Sequence, residues 1–356
     1  MGILFVRVRF PRTITESWGM RIAVLCDFMD IIGGGERVAL FLGAHLHAPV
    51  FTTRLDPGLA ARAGFPEVAV RSIGDVPRGP PLRQMGATLR FSRAKFDAFD
   101  RIVCVGNFSM YAAAHHAGHL WYCLTPTRMF FDQRAATLRR MSLPARPFAA
   151  VWFAIHASRE RRAVARVTKI VTLSETAANR IRTYYGRDVP VLYPPVATSR
   201  FRFREVGDFW LSVNRLYPEK RIDLQLDTFR RLPGERLKIV GGGGRVRPDD
   251  LRPPPNVEFL GEVPQEDLHE LYATCRGVVA TAVDEDFGLT PVEGMASGKC
   301  VLATDEGGYR ETVVPGRTGF LLPPDPEALA AKVRELDDST LLSMRDDCIA
   351  DRKSVV

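Results

Sequence analysis

At 356 residues the chain exceeds what one hydrophobic core ordinarily serves, which points to two domains. Hydrophobic residues make up 46% and charged residues 25%, the balance of a globular enzyme, which excludes a disordered chain. The formal net charge of +8 favours an anionic partner, either a phosphate-bearing ligand or an acidic membrane surface. With no zinc-finger, RNP or helix-turn-helix signature and no basic stripe interleaved with aromatics, nucleic acid is not expected.

Residues 1–19 carry arginines through a short apolar run and read as an upstream extension, with Met20 as an alternative start. From Met20 the pattern is strand, glycine loop, helix: RIAVLCDF, the glycines Gly33, Gly34 and Gly35, then ERVALFLGAHL with apolar residues at helical spacing. Strand-like runs follow at 49–52, 67–72, 101–105 and 120–124, so residues 20–195 read as one α/β domain. Residues 136–166 interrupt that rhythm, because several arginines flank an apolar, aromatic middle. They read as a core-packed helix pair with solvated arginines, or as an interfacial face in which Trp152 and Phe153 meet an anionic membrane.

The segment KIVTLSETAANRIRTYYG predicts a further strand and helix, and Pro194-Pro195 then marks the interdomain hinge. A second alternation starts at FWLSVNRL, with strands predicted at 237–240, 257–260, 277–282 and 300–303, so residues 196–335 repeat the first architecture. The whole reads as α/β, two doubly wound parallel-sheet domains facing a cleft. A helix is predicted at 327–336, and residues 336–356 form a C-terminal tail.

Six cysteines, Cys26, Cys104, Cys123, Cys275, Cys300 and Cys348, stand singly without C-x-x-C spacing. They read as buried free thiols of a reducing cytoplasm, and no metal cofactor is expected. No apolar stretch approaches the ~20 residues of a spanning helix, so membrane contact would be peripheral, on the inner face.

Four loops after strands of the second half carry the chemistry, since open parallel sheets bind ligands at their carboxyl ends. The first places Arg215 and Lys220 five residues apart, a planar fork and a point charge suited to one diphosphate. The second is the run from Gly241 and Gly242 to Gly244, where missing Cβ atoms let backbone amides approach a phosphate. The third runs from Asp284 and Glu285 through Phe287, Gly288, Leu289 and Thr290 to Glu293, with Pro291 in the first turn of a helix starting just after Gly288. Its carboxylates Glu285 and Glu293 suit different hydroxyls of one ligand. Eight helical residues span ~12 Å, against the ~5 Å separation of a retaining glycosidase pair, so that reading is set aside. The fourth, from Thr304 to Glu311, reads as a rim contact.

Residues 20–335 resemble the retaining family 4 glycosyltransferases of GT-B fold. The resemblance rests on E-x7-E from Glu285 to Glu293 with its internal F-G-L-T-P, and on the Arg215 and Lys220 pair. It implies catalytic roles for Glu285, Arg215 and Lys220, with Glu285 facing the donor sugar, Glu293 the ribose, and the backbone of Phe287, Gly288, Leu289 and Thr290 the sugar and phosphates. In the first half, Gly34 and Gly35 match the family's glycine loop, and the run from Trp121 through Thr125 to Arg128 resembles its mannosyltransferase-like branch, which commonly has histidine at the position of Leu124. The resemblance implies a retaining glycosyltransferase moving a hexose, mannose for preference, from a nucleotide diphosphate sugar to a hydroxyl of a glycan or lipid-linked acceptor. GDP-mannose is the preferred donor and a UDP-sugar the other. The competing expectation is a catalytically silent sugar-nucleotide-binding protein. Family members close with a helix crossing back to the first domain, and residues 336–356 read as part of it.

Overall fold

The computed structural model describes residues 19–79, 81–242 and 248–351. The predicted extension, apart from Gly19, thus lies outside the described residues. The chain divides into two compact units, the first ending at Tyr193 and the second beginning at Pro194.

In the first unit, β1 (Ile22–Cys26), β2 (Val50–Thr52), β3 (Val70–Ser72), β4 (Arg101–Val105), β5 (His119–Cys123) and β6 (Ile170–Thr172) form a parallel sheet in the order β3-β2-β1-β4-β5-β6. β1 pairs with β4 from Ile22 opposite Arg101 to Cys26 opposite Val105. Helices on the crossovers cover both faces, so β1 is an almost continuous apolar run. The core gathers Leu25, Phe91, Ile102, Cys104, Trp121 and Ile181, and the indole N–H of Trp121 donates to the Gly106 carbonyl at 2.6 Å.

The helix Glu175–Tyr185 is bounded by its sequence: the Ser174 hydroxyl accepts from the Ala177 amide, and Gly186 supplies the left-handed φ of +66° that ends it. Residues 134–164 fold as the expected helix pair, Arg134–Arg139 and Arg146–Val164. The interfacial expectation is corrected in its particulars, because Trp152 and Phe153 pack inward on Phe130.

The second unit repeats the topology. β7 (Phe209–Val213), β8 (Arg236–Val240), β9 (Val257–Gly261), β10 (Gly277–Ala280), β11 (Val301–Thr304) and β12 (Gly319–Leu322) lie in the order β12-β11-β10-β7-β8-β9, all parallel. Trp210, Leu211, Ile239, Val278 and Leu302 are buried in its core. The helices Asp338–Ser343 and Arg345–Ala350 pack on this unit: Cys348 is buried, and Arg317 pairs with Asp347 at 2.6 Å. Residues 352–356 lie outside the described residues. All six cysteines are buried free thiols, as their isolated positions predict.

Candidate functional site

In the strand order of the second unit the direction of winding reverses between β7 and β10, which opens a crevice at their carboxyl ends. The chain leaving β7 carries Arg215 and, in a single 3-10 turn, Lys220; the chain leaving β10 carries Glu285. Lys220 Nζ lies 2.5 Å from Glu285 Oε2, and both side chains are about three-quarters buried. Arg215 is exposed, and its guanidinium has no partner among the described residues. The site therefore offers one cation held by a carboxylate and one ready for an anionic ligand.

The helix Leu289–Ala296 begins at Gly288, whose φ of +92° suits glycine and whose missing Cβ would stand 2.8 Å from the Tyr309 ring. No side chain caps the first turn, so its amides remain available to an anion. The Thr290 hydroxyl donates to the Val213 carbonyl at 3.1 Å and fastens the helix start to the end of β7. Glu293, one turn on, accepts from the Tyr272 hydroxyl at 2.8 Å. Burial, and then the Glu293 charge, holds the Tyr272 phenol well above its ordinary value, so it stays a donor. The Phe287 ring is buried, leaving its backbone as the part that can meet a ligand.

The fourth loop does more than form a rim. Glu306 takes both guanidinium nitrogens of Arg221 at 2.6 and 3.2 Å, and also accepts from the Asp284 amide at 3.4 Å. The Val283 amide donates to the Glu219 carbonyl at 2.7 Å, and the Gly308 amide to the Glu285 carbonyl at 2.7 Å. A Cβ on Gly307 would stand 2.4 Å from the Glu285 carbonyl oxygen, so glycine is what lets the loops lie together. Arg221 itself adopts φ +49°, a region costly for a residue with a side chain. Three loops are thus clasped around Lys220 and Glu285, and neither the clasp residues Arg221 and Glu306 nor Tyr272 beside Glu293 was singled out from sequence.

Gly241, with φ +129°, sits where a Cβ would come 2.0 Å from the Asn214 carbonyl, and Gly242 lies against the Glu262 side chain. Gly243 and Gly244 lie outside the described residues. Among the described residues no group of three His, Cys, Asp or Glu is placed to hold a metal ion.

In the first unit the corresponding reversal falls between β1 and β4. Gly34 and Gly35 open the helix Gly34–His45, and a Cβ on Gly35 would stand 2.6 Å from Leu124 Cδ1, so Leu124 lies on the glycine loop. Asp27, just beyond β1, accepts from the amides of Asn107, Phe108 and Ser109 at 2.8, 3.0 and 2.7 Å. Burial raises its carboxyl to about 6 against the pull of these bonds. Thr125 receives an Arg180 bond at 3.4 Å, and Arg128 pairs with Asp132 at 2.8 Å. The Thr127 amide donates to Glu160, a buried carboxylate that also receives the Tyr185 hydroxyl. The structure thus builds the 125–128 segment into a partly buried polar network.

Residues 199–354 match the family model described as Glycosyl transferases group 1. The chain is 30% identical over 210 residues to a D-inositol 3-phosphate glycosyltransferase of Streptomyces avermitilis, covering 49% of this chain and 45% of that protein. It is 36% identical over 140 residues to a GDP-mannose-dependent alpha-mannosyltransferase of Mycobacterium tuberculosis, covering 37% of this chain and 36% of that protein. The chain thus spans less than half the length of these curated relatives. Among solved structures, Anabaena HepE in complex with UDP and glucose superposes with a TM-score of 0.71 at 18% identity, covering 94% of this chain and 96% of that one. The matched segment accounts for nearly the whole second unit, and the structural likeness extends over both. Residues 199–354 thus resemble the group 1 glycosyltransferases, and the chain has the two-domain α/β architecture of the GT-B fold.

Proposed function

We propose that this protein is a retaining glycosyltransferase that moves a hexose from a nucleotide diphosphate sugar to an acceptor hydroxyl. The observation that carries the reading is the Lys220–Glu285 pair beside exposed Arg215 at the β7 and β10 strand ends. Arg215 and Lys220 hold the diphosphate and stabilise the charge that develops on it as the sugar departs. The first-turn amides of Leu289–Ala296 add dipoles to the same phosphates. Glu285, released from Lys220 as the phosphate takes the cation, accepts from sugar hydroxyls, and Glu293, oriented by Tyr272, from the ribose. Glu285 begins neutralised by a lysine, which suits a hydrogen-bonding role more than a nucleophile. Retention then follows if the acceptor attacks from the face the phosphate leaves, with the phosphate taking the proton.

The donor we infer is GDP-mannose, supported by the Trp121 to Arg128 run and by the name of the mycobacterial relative; a UDP-sugar is the competing donor. The first unit, with Gly34, Gly35, Thr125 and Arg128, serves the acceptor, a glycan, cell-surface polysaccharide intermediate or glycolipid precursor at the cytoplasmic face of a membrane. No described helix is long and apolar enough to cross a membrane. The second reading is a silent nucleotide-binding protein, favoured by Leu124, which puts a methyl group against the glycine loop where the resembling branch has an imidazole.

Thermal shifts with UDP, GDP and ADP, each with and without Mg²⁺, test the proposal. A nucleotide at ~100 times its dissociation constant adds ~2.7 kcal/mol, several degrees for a chain of this size. A shift with GDP followed by mannosyl transfer, lost ~100-fold or more in Lys220→Ala, is the expected result. No shift with any nucleotide, or full turnover by Lys220→Ala, would overturn the enzyme reading; a shift without turnover would establish the silent one.

A further inference from the structure

We infer that the first unit docks on an anionic membrane through two helices, Leu82–Arg93 and Arg146–Val164, that each carry a second, outward apolar face. In Arg146–Val164, Phe153, Ala157 and Val164 point into the core, while Phe148, Val151 and Ile155 are 78%, 61% and 50% exposed. At 100° per residue these are opposite faces of one helix. Leu82–Arg93 repeats the arrangement, with Ala87 and Phe91 buried and Leu82, Met85 and Leu89 exposed. Both stripes have the spacing i, i+3, i+7, and both continue at i+11 into an arginine, Arg159 in one and Arg93 in the other. Both helices pack on the same segment, Ser109–His115, and Leu143, 72% exposed, precedes the longer of them. Apolar side chains of this size, repeated on neighbouring helices, exceed the scattered exposure normal for a protein surface.

The charge around the stripes selects the occupant. Residues 133–174 hold nine Lys or Arg and one acid, Glu160, which is buried. Residues 76–96 hold five Lys or Arg and no acid. Among the described residues, Arg139, Arg140, Arg159 and Arg166 are exposed with no side-chain partner. A second copy of this chain would bring like charges together, whereas an anionic bilayer takes the apolar stripes into its interface and the arginines onto its headgroups. The face needs neither donor nor acceptor, so it stands or falls apart from the catalytic reading.

The test is flotation of the full chain with phosphatidylcholine vesicles and with vesicles in which about a third of the lipid is phosphatidylglycerol. Binding to the anionic vesicles, weakened by 0.5 M salt and at least about tenfold stronger than to neutral ones, is expected. Phe148→Glu/Ile155→Glu and, separately, Leu82→Glu/Leu89→Glu should each lower that binding about tenfold or more. Their melting points and nucleotide-induced shifts should stay at those of the parent, since the substituted positions are exposed. The inference fails if the parent binds neither vesicle, binds both equally, or keeps its affinity in the variants. It fails also if the glutamates instead abolish a concentration-dependent dimer, which would make the face a self-association surface.

Discussion

Replacing Arg221 by glycine separates what holds the loops together from what holds the chain folded. The Arg221–Glu306 pair is bidentate at 2.6 and 3.2 Å, with side chains 23% and 26% exposed. At an effective dielectric near 20, charges 2.6 Å apart attract by ~6 kcal/mol, and desolvation and side-chain ordering return most of it, leaving a net ~1 to 3 kcal/mol. Glycine at φ +49° recovers ~1 kcal/mol of backbone strain that arginine bears. Global stability should therefore fall by no more than ~2 kcal/mol, a few degrees in melting temperature.

The loops are another matter, because Glu306 also holds the Asp284 amide next to Glu285, while Arg221 adjoins Lys220. Without the clasp the two ligand-facing side chains must be ordered by the nucleotide itself, and binding should weaken about tenfold, ~1.4 kcal/mol. At a nucleotide concentration of 100 times the parent's dissociation constant, the stabilisation would drop from ~2.7 to ~1.4 kcal/mol, so the thermal shift is halved. Glu306→Gln, which keeps one carbonyl acceptor for the guanidinium, should lie between parent and Arg221→Gly. A full-sized nucleotide shift in Arg221→Gly would refute the idea that the clasp orders the site. So would a loss of stability large enough to explain the weaker binding.

Tyr272→Phe keeps the buried ring and deletes the hydroxyl that orients Glu293; nucleotide affinity should fall roughly three- to tenfold by titration, and an unchanged affinity would remove Glu293 from the ribose. Gly241→Ala forces a Cβ to 2.0 Å from a backbone carbonyl and should lower the melting point by ~10 °C, whereas Gly316→Ala, at φ +75° with open space around it, should cost far less. Asp27 titrates near 6 in the folded chain against an ordinary 3.8, so the folded state binds its proton more tightly. Its contribution is complete below about pH 4 and is lost as pH rises to about 6, roughly 3 kcal/mol in all. Asp27→Asn should flatten that part of the stability-versus-pH curve measured by urea unfolding; an unaltered slope would show that another group carries it.

The loops proposed to hold the donor were legible because their signals are local. A buried strand, a glycine and an acid-rich helix start in succession place Glu285 and Lys220 at strand ends before any tertiary contact is known. Tyr272 was not legible, since on the helix Gln265–Thr274 it looks like an ordinary core residue and only the fold aims its hydroxyl at Glu293. Arg221 and Glu306 lie 85 residues apart, so their pairing has no local signature. The outward stripe was missed for another reason: Arg146–Val164 is apolar on two faces, and periodicity cannot say which one is inside. Trp152 and Phe153 stand out in the sequence because they lie beside arginine clusters, but the fold turns them inward and exposes Phe148, Val151 and Ile155 instead. β12, four residues long and starting three positions after Gly316, was too short for its pattern to stand out.

The two units share one strand order, and each sets a carboxylate at its reversal point, yet the two are used differently. Asp27 is half-buried and accepts from three backbone amides, so it fixes the shape of the β4 loop. Glu285 instead meets a flexible lysine, partly open to solvent, in a pair that a diphosphate can divide by taking the cation. Exchange of partners needs a bond that opens at modest cost, and in a partly buried ion pair desolvation offsets most of the attraction, leaving ~1 to 3 kcal/mol that the charge-assisted bonds to a diphosphate can replace. The same topology therefore yields a support in the first unit and an exchangeable ion pair in the second, which favours the proposal of donor chemistry at the β7 and β10 strand ends.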